Sequence, residues 1–124
     1  MLNLQIPYCR MRYNIVMPKK PKPVLLYVTA GSRREAEAIA KALLEAKRIA
    51  CANILGPLQS FFVWKGKLQN TKEHLILCKT TESNVSASKK IVLSLHSYEC
   101  PCITVLPITD GHESFLHWIS GTVR

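Results

Sequence analysis

Apolar residues change their spacing several times along this chain, and each change marks an element. Val24 to Val28 is an unbroken apolar run, which predicts a central strand buried on both faces. Thr29-Ala30-Gly31 turns the chain, and Ser32 with Glu35 forms the S-x-x-E pattern of a capping box. Ala36, Ile39, Ala40, Leu43 and Leu44 then recur at helical spacing, with Glu37, Lys41, Glu45 and Lys47 on the opposite side. The first helix is therefore expected over residues 33–47. Ile49 to Leu55 reads as a second strand, and Gly56-Pro57 after it predicts a bulge or bend.

Ser60 to Thr81 organises the rest. Lys65-Gly66-Lys67 reads as a tight hairpin turn, because Gly66 adopts a positive φ cheaply. The first arm, Phe61 to Trp64, is aromatic and β-branched; the second, Leu68 to Thr80, contains neither Pro nor Gly. Those thirteen residues would span about 40 Å, twice a typical strand, and would outreach a small domain. Alternation puts Phe62 and Trp64 on one face and Phe61 and Val63 on the other, with Leu75 and Leu77 opposite Ile76 and Cys78. Both faces are apolar. Helices cover one face of an open sheet, so a second copy of the chain is the simplest cover for the other.

A second helix opens at Glu82 or Ser83, with Val85, Ile91, Val92 and Leu95 inward and Ser88 at a close packing contact. A loop at residues 96–101 precedes a last core strand, Cys102 to Ile108. Asp110 and Glu113 are candidate caps for a short third helix carrying Phe115, Leu116, Trp118 and Ile119 and ended by Gly121. The order strand, helix, strand, strand, helix, strand, helix predicts an α+β fold. Right-handed crossovers turn its βαββαβ part into a ferredoxin-like sandwich, with both main helices on one face of an antiparallel sheet.

Charge changes this picture only at the start of the chain. Of a net charge of +9, five basic residues and no acid fall within residues 1–22, leaving 12 basic and 8 acidic residues in the remainder. Residues 1–23, with Pro18, Pro21 and Pro23 among the lysines, read as a flexible tail or a targeting segment, and Met17 is an alternative start. Residues 24–124 form the expected domain. It is only mildly basic, which argues against a nucleic-acid partner. No apolar run approaches the roughly 18 residues of a membrane-spanning helix. The five cysteines, Cys9, Cys51, Cys78, Cys100 and Cys102, are an odd count without a secretory signal, which fits reduced thiols in a cytoplasmic protein.

Seven pieces in order resemble the CutA family of divalent-cation-tolerance proteins: Val28-Thr29-Ala30; Ala50-Cys51-Ala52-Asn53-Ile54; Ser60 to Lys67; Glu73 with Lys79-Thr80-Thr81; His96-Ser97-Tyr98-Glu99-Cys100-Pro101; Leu106-Pro107-Ile108 with Gly111; and Phe115-Leu116-His117-Trp118-Ile119. The resemblance covers about residues 24–120. It implies a fold like that of the PII signalling proteins, and a homotrimer in which long hairpins pair with neighbouring subunits. Phe61, Phe62, Trp64, Tyr98 and Trp118 are the expected interface residues. It also implies a role in tolerance to copper and other divalent cations, with copper as the candidate ligand and no catalysis.

The copper ligands of that family correspond here to Val28, Leu95 and His96, so only His96 remains. Cys100 and Cys102 lie nearby, two apart across Pro101, and project to one side of an extended chain. Two thiolates and an imidazole suit Cu(I) or Zn(II) better than Cu(II), since soft sulfur selects soft metals. His96, Cys100 and Cys102 are thus the candidate metal ligands, against a plain reading of both cysteines as small strand-edge hydrophobes. Lys79, Thr80 and Thr81 at the mouth of the second helix are candidate anion contacts, by analogy with the PII fold. His74, His112 and His117 show no partner pattern. An RNA-recognition module needs aromatics on a central strand, and His74-Leu75-Ile76-Leu77-Cys78 has none. A small enzyme such as an acylphosphatase needs an anion-cradling turn, of which Thr29 to Arg33 is only a faint echo.

Overall fold

The computed structural model describes residues 21–124; the proposed tail or targeting segment, with Cys9, lies almost wholly outside them. β1 (Pro23–Ala30), α1 (Arg33–Glu45), β2 (Cys51–Trp64), β3 (Lys67–Thr81), α2 (Val85–Leu95), β4 (Ile103–Pro107) and α3 (Glu113–Thr122) follow in order. The strands form one antiparallel sheet in the order β2-β3-β1-β4, the expected α+β arrangement. Leu26 and Val28 of β1 and Ile76 and Cys78 of β3 point to one face. There they meet Ala36, Ile39 and Leu43 of α1 and Val92 of α2 in a dry core. A fully buried side chain of this size contributes about 2 kcal/mol.

β1 is not sealed on both faces in the single chain. Its burial alternates, with Leu25 and Tyr27 only half-buried, because α1 and α2 cover one side alone. α3 packs Trp118 and Ile119 against Ala50 and half-buried Cys51 in a second, smaller cluster. Cys51 pairs with Lys79, whose neighbour Cys78 faces the main core together with Ile76. Cys51 therefore belongs to the sheet's other face, and α3 covers one end of it.

Helix ends differ from the expected ones for local reasons. Ser32 caps α1 as read, its Oγ accepting from the Glu35 N–H at 3.1 Å. α1 stops at Glu45 rather than residue 47 because Lys47 takes the left-handed conformation, φ 57°. The Lys47 and Arg48 N–H groups donate back to Leu44 and Leu43 carbonyls, a Schellman closure that usually carries glycine. A 3-10 turn, Glu82–Asn84, precedes α2, and Leu95, read as inward, is 43% exposed. Neither Asp110 nor Glu113 caps α3. His112 holds that position without a side-chain bond, and Asp110 accepts from the Gly111 N–H instead.

The hairpin is the dominant feature. β2 and β3 are 14 and 15 residues long, joined by Lys65 and Gly66 with φ of 51° and 76°. Two positive φ values in a two-residue loop match the twist of the strands. β1 pairs with β3 only from His74 to Thr81, so Lys67 to Glu73 has β2 as its one neighbour and projects beyond the sheet. The register shifts between Leu55 and Leu58, at the bulge expected for Gly56-Pro57.

Gly56 sits there at φ 154°, and a Cβ built on it would lie 2.6 Å from the His74 imidazole. His74, which carried no sequence signal, is half-buried and closes the bulge. Gly56→Ala should therefore cost about 1–3 kcal/mol in denaturant unfolding. Gly66→Ala, at a positive φ but with open space around it, should cost about 1 kcal/mol or less. Equal losses would show that the His74 contact contributes nothing.

Candidate functional site

The sheet's second face, beyond α3, opens into a cavity of about 790 Å³. Three segments form it. β1 supplies Tyr27 and Thr29, the projecting hairpin supplies Phe62, Trp64 and Glu73, and the loop before β4 supplies Tyr98, Glu99, Cys100 and Cys102. Alternation along β3 accounts for the polar centre. Glu73 shares a face with Leu75 and Leu77, directly after the residue where β1 ends its pairing.

Glu73 is 7% exposed. Its Oε2 accepts a hydrogen bond from the Tyr98 hydroxyl at 2.9 Å. Burial, the Glu73 hydrogen bond, and the charges of Glu73 and Glu35 push the Tyr98 phenol up to about 12. Burial likewise raises the Cys78 thiol to about 12, and raises Cys51 against the lowering effect of Lys79. Cys78 is a buried core thiol, as read from its apolar strand, while Cys51 is half-buried against the α3 cluster.

His96 is held beneath this cavity. Its Nε2 donates to the Thr29 carbonyl at 2.7 Å, and its Nδ1 accepts from the Tyr98 N–H at 3.1 Å. Glu35 Oε2 lies 3.5 Å from the same Nδ1 and accepts from the Ser97 hydroxyl at 3.2 Å. Both ring nitrogens are thus committed, and the side chain is fully buried. The structure does not bring His96 to the cysteines. Among the described residues no three His, Cys, Asp or Glu side chains converge where they could hold a metal. Cys100 and Cys102, by contrast, are both exposed, both free thiols, and both on the cavity wall.

The other expected site residues divide. Phe61, Phe62 and Trp64 are 65%, 41% and 40% exposed at the hairpin tip, where Lys65 Nζ lies 5.8 Å over the Trp64 ring. Trp118 is instead buried inside its own chain, its ring tilted against Phe115 at 5.4 Å between centroids, and is not exposed in the single chain. Tyr98 serves the intrachain network and also lines the cavity. The proposed anion contacts are spent internally. Lys79 donates to Asn53, Thr80 donates to the Arg48 carbonyl, and Thr81 accepts from Asn84. Glu73 and Glu35 are the participants that sequence reasoning did not single out for the site. The signal available for Glu73 was its place among the residues that carry the family resemblance, in a strand whose polar half, Gln69 to His74, precedes its apolar one.

An antiparallel sheet with two helices on one face, a projecting hairpin and a Glu–Tyr–cysteine cleft on the other defines the class of protein. A family model described as CutA1 divalent ion tolerance protein matches residues 24–122. The divalent-cation tolerance protein CutA of Archaeoglobus fulgidus is 45% identical over 99 residues, covering 80% of this chain and 96% of that protein. Protein CutA, chloroplastic, of Arabidopsis thaliana is 32% identical over 101 residues, covering 82% of this chain and 56% of the plant protein's length. Among solved structures, the divalent cation tolerance protein of Thermus thermophilus superposes with a TM-score of 0.81 at 35% identity, covering 82% of this chain and 99% of that one. The Archaeoglobus fulgidus structure, described as a periplasmic protein, gives 0.79 at 43% identity and the same coverage. The chain belongs to the CutA1 divalent ion tolerance family.

Tyr98 provides a test by pH. Its folded-state pKa is raised, so its contribution is complete below about pH 10 and is lost as pH rises toward 12. Unfolding free energy should fall across that window. Tyr98→Phe should flatten the fall, leaving the part that Cys78 and Cys51 add with the same sign. An unchanged slope would show that the phenol titrates freely.

Proposed function

We propose that this chain acts as a homotrimer in divalent-metal tolerance and that Cys100 and Cys102 capture a soft metal ion, Cu(I) first. The observation that carries the metal reading is the exposed pair of free thiols on the cavity wall. Thiolate sulfur prefers Cu(I), and two such donors suffice for its low coordination numbers. His96 stays in its hydrogen bonds and takes no part. A cytoplasmic, reducing compartment suits this reading, because it keeps both thiols available. No helix among the described residues is long and apolar enough to cross a membrane. The role is binding, without catalysis. Residues 1–23 serve as a tail or targeting segment and residues 24–124 as the working domain.

The trimer reading rests on the hairpin. Phe61, Val63 and Leu68 are each at least 65% exposed, on an arm that outreaches its own sheet. Large apolar side chains clustered this way mark a contact surface. The unpaired edges of Lys67 to Glu73 offer main-chain partners to a neighbouring strand. A second reading, a trimeric scaffold or PII-like sensor of small anions without metal, is favoured by the absence of any three-ligand cluster among the described residues.

Trp64→Glu should convert trimer to monomer or aggregate in light scattering; an intact trimer would sink the hairpin assignment. An anaerobic competition titration of the reduced protein with Cu(I) should show stoichiometric uptake. Cys100→Ser/Cys102→Ser should abolish it and His96→Gln should leave it unchanged. No uptake by the unmodified protein would favour the scaffold or sensor.

A further inference from the structure

A second groove, of about 630 Å³, lies in the helical layer and belongs to none of the chemistry above. Arg48, Lys90 and Arg124 line it together with the hydroxyl-bearing Ser83 and Ser86. No acidic side chain is on its wall. The Arg33–Glu37 ion pair and the Glu35 carboxylate beside His96 involve none of these cations.

The chain places two of the three by means other than countercharge. The Schellman closure of α1 sets the Arg48 backbone. Asn84, 1% exposed, then holds its guanidinium, Nη1 donating to Oδ1 at 3.2 Å. The same amide donates to Thr81 Oγ1 and to the main-chain oxygen of Arg124, both at 2.9 Å, so both its oxygen and its nitrogen are engaged. The Arg124 N–H donates to the Lys47 carbonyl at 3.0 Å. Three cationic side chains around one groove, with no Asp or Glu on its wall and only the main-chain carboxyl of Arg124 nearby, repel one another, and a bound anion reduces that cost. Because the Asn84 side chain is spent, α2 starts beside the groove with no side-chain cap. Ser83, Ser86, Ala87 and Lys90 follow at helical spacing, so small side chains leave the space and a lysine closes it.

We infer that this groove binds a small soluble phosphate ester. Guanidinium forks match phosphoryl oxygens two at a time, the ammonium adds a point charge, and both serines can donate. Ala87 and Ile91 give an apolar wall for the organic part. The volume lies within the range of small-molecule sites. The donors differ from the Lys79, Thr80 and Thr81 expected from sequence, and the groove does not depend on Cys100, Cys102 or the trimer.

The test is calorimetric titration with inorganic pyrophosphate at low ionic strength. Saturable binding is expected, weakened at least tenfold in Lys90→Glu. Lys89→Glu, an exposed neighbour outside the groove with the same change in net charge, should bind as the unmodified protein does. Cys100→Ser/Cys102→Ser should also bind normally, which separates this site from the metal reading. Absence of saturable binding, or equal weakening by Lys89→Glu, overturns the proposal. So does binding confined to phosphatidylglycerol vesicles in a sedimentation arm, which would make the groove a membrane contact.

Discussion

Everything distinctive in this molecule depends on the ladder between β2 and β3. It is longer than the sheet that contains it. From His74 to Thr81, β3 has a neighbour on each side, and from Lys67 to Glu73 it has one. Backbone groups in the first half are fully paired within the chain, whereas the second half leaves a row of them on one edge. The same half carries the most exposed apolar side chains, Phe61, Val63 and Leu68. An arm with both properties presents an unpaired strand edge and an apolar surface together, beyond the reach of its own sheet.

The fork where β1 ends is also where the polar chemistry gathers. Glu73 is the first residue of β3 beyond the β1 pairing, on the face without α1 and α2. A carboxylate there would be costly without a donor, and Tyr98 supplies one. Tyr98 is in turn positioned by its own N–H on His96, and His96 by the end of β1 through the Thr29 carbonyl. One chain of hydrogen bonds thus ties β1, β3 and the loop before β4. It fixes His96 as a structural residue and leaves the following cysteines on the outer wall. A histidine held this way has no lone pair left for a metal, which separates it from the thiols that follow it by only a few residues.

The fold was legible in the chain because its signals are local and periodic. The capping box at Ser32, the tight turn at Lys65-Gly66-Lys67, which the structure narrows to Lys65 and Gly66, and the bulge at Gly56-Pro57 each rest on backbone preferences of those residues. The misreadings have equally local causes. Lys47 ended α1 by adopting a left-handed conformation that no helical pattern signals. Leu95 looked inward by spacing, but it is the last residue of α2 and stays 43% exposed. Trp118, expected at a contact between subunits, is covered within the single chain by the packing of α3.

The amino-acid order by itself determined the element sequence, the length of the hairpin and its apolar tip, since these follow from side-chain alternation and turn chemistry within short windows. Only the tertiary structure decided which polar groups meet. Glu73 and Tyr98, or Arg48 and Asn84, are 25 and 36 residues apart. Their pairing depends on register and loop closure rather than on any local preference. The same is true of His96, whose nitrogens were claimed by Thr29 and Tyr98 once β1 and the loop came together.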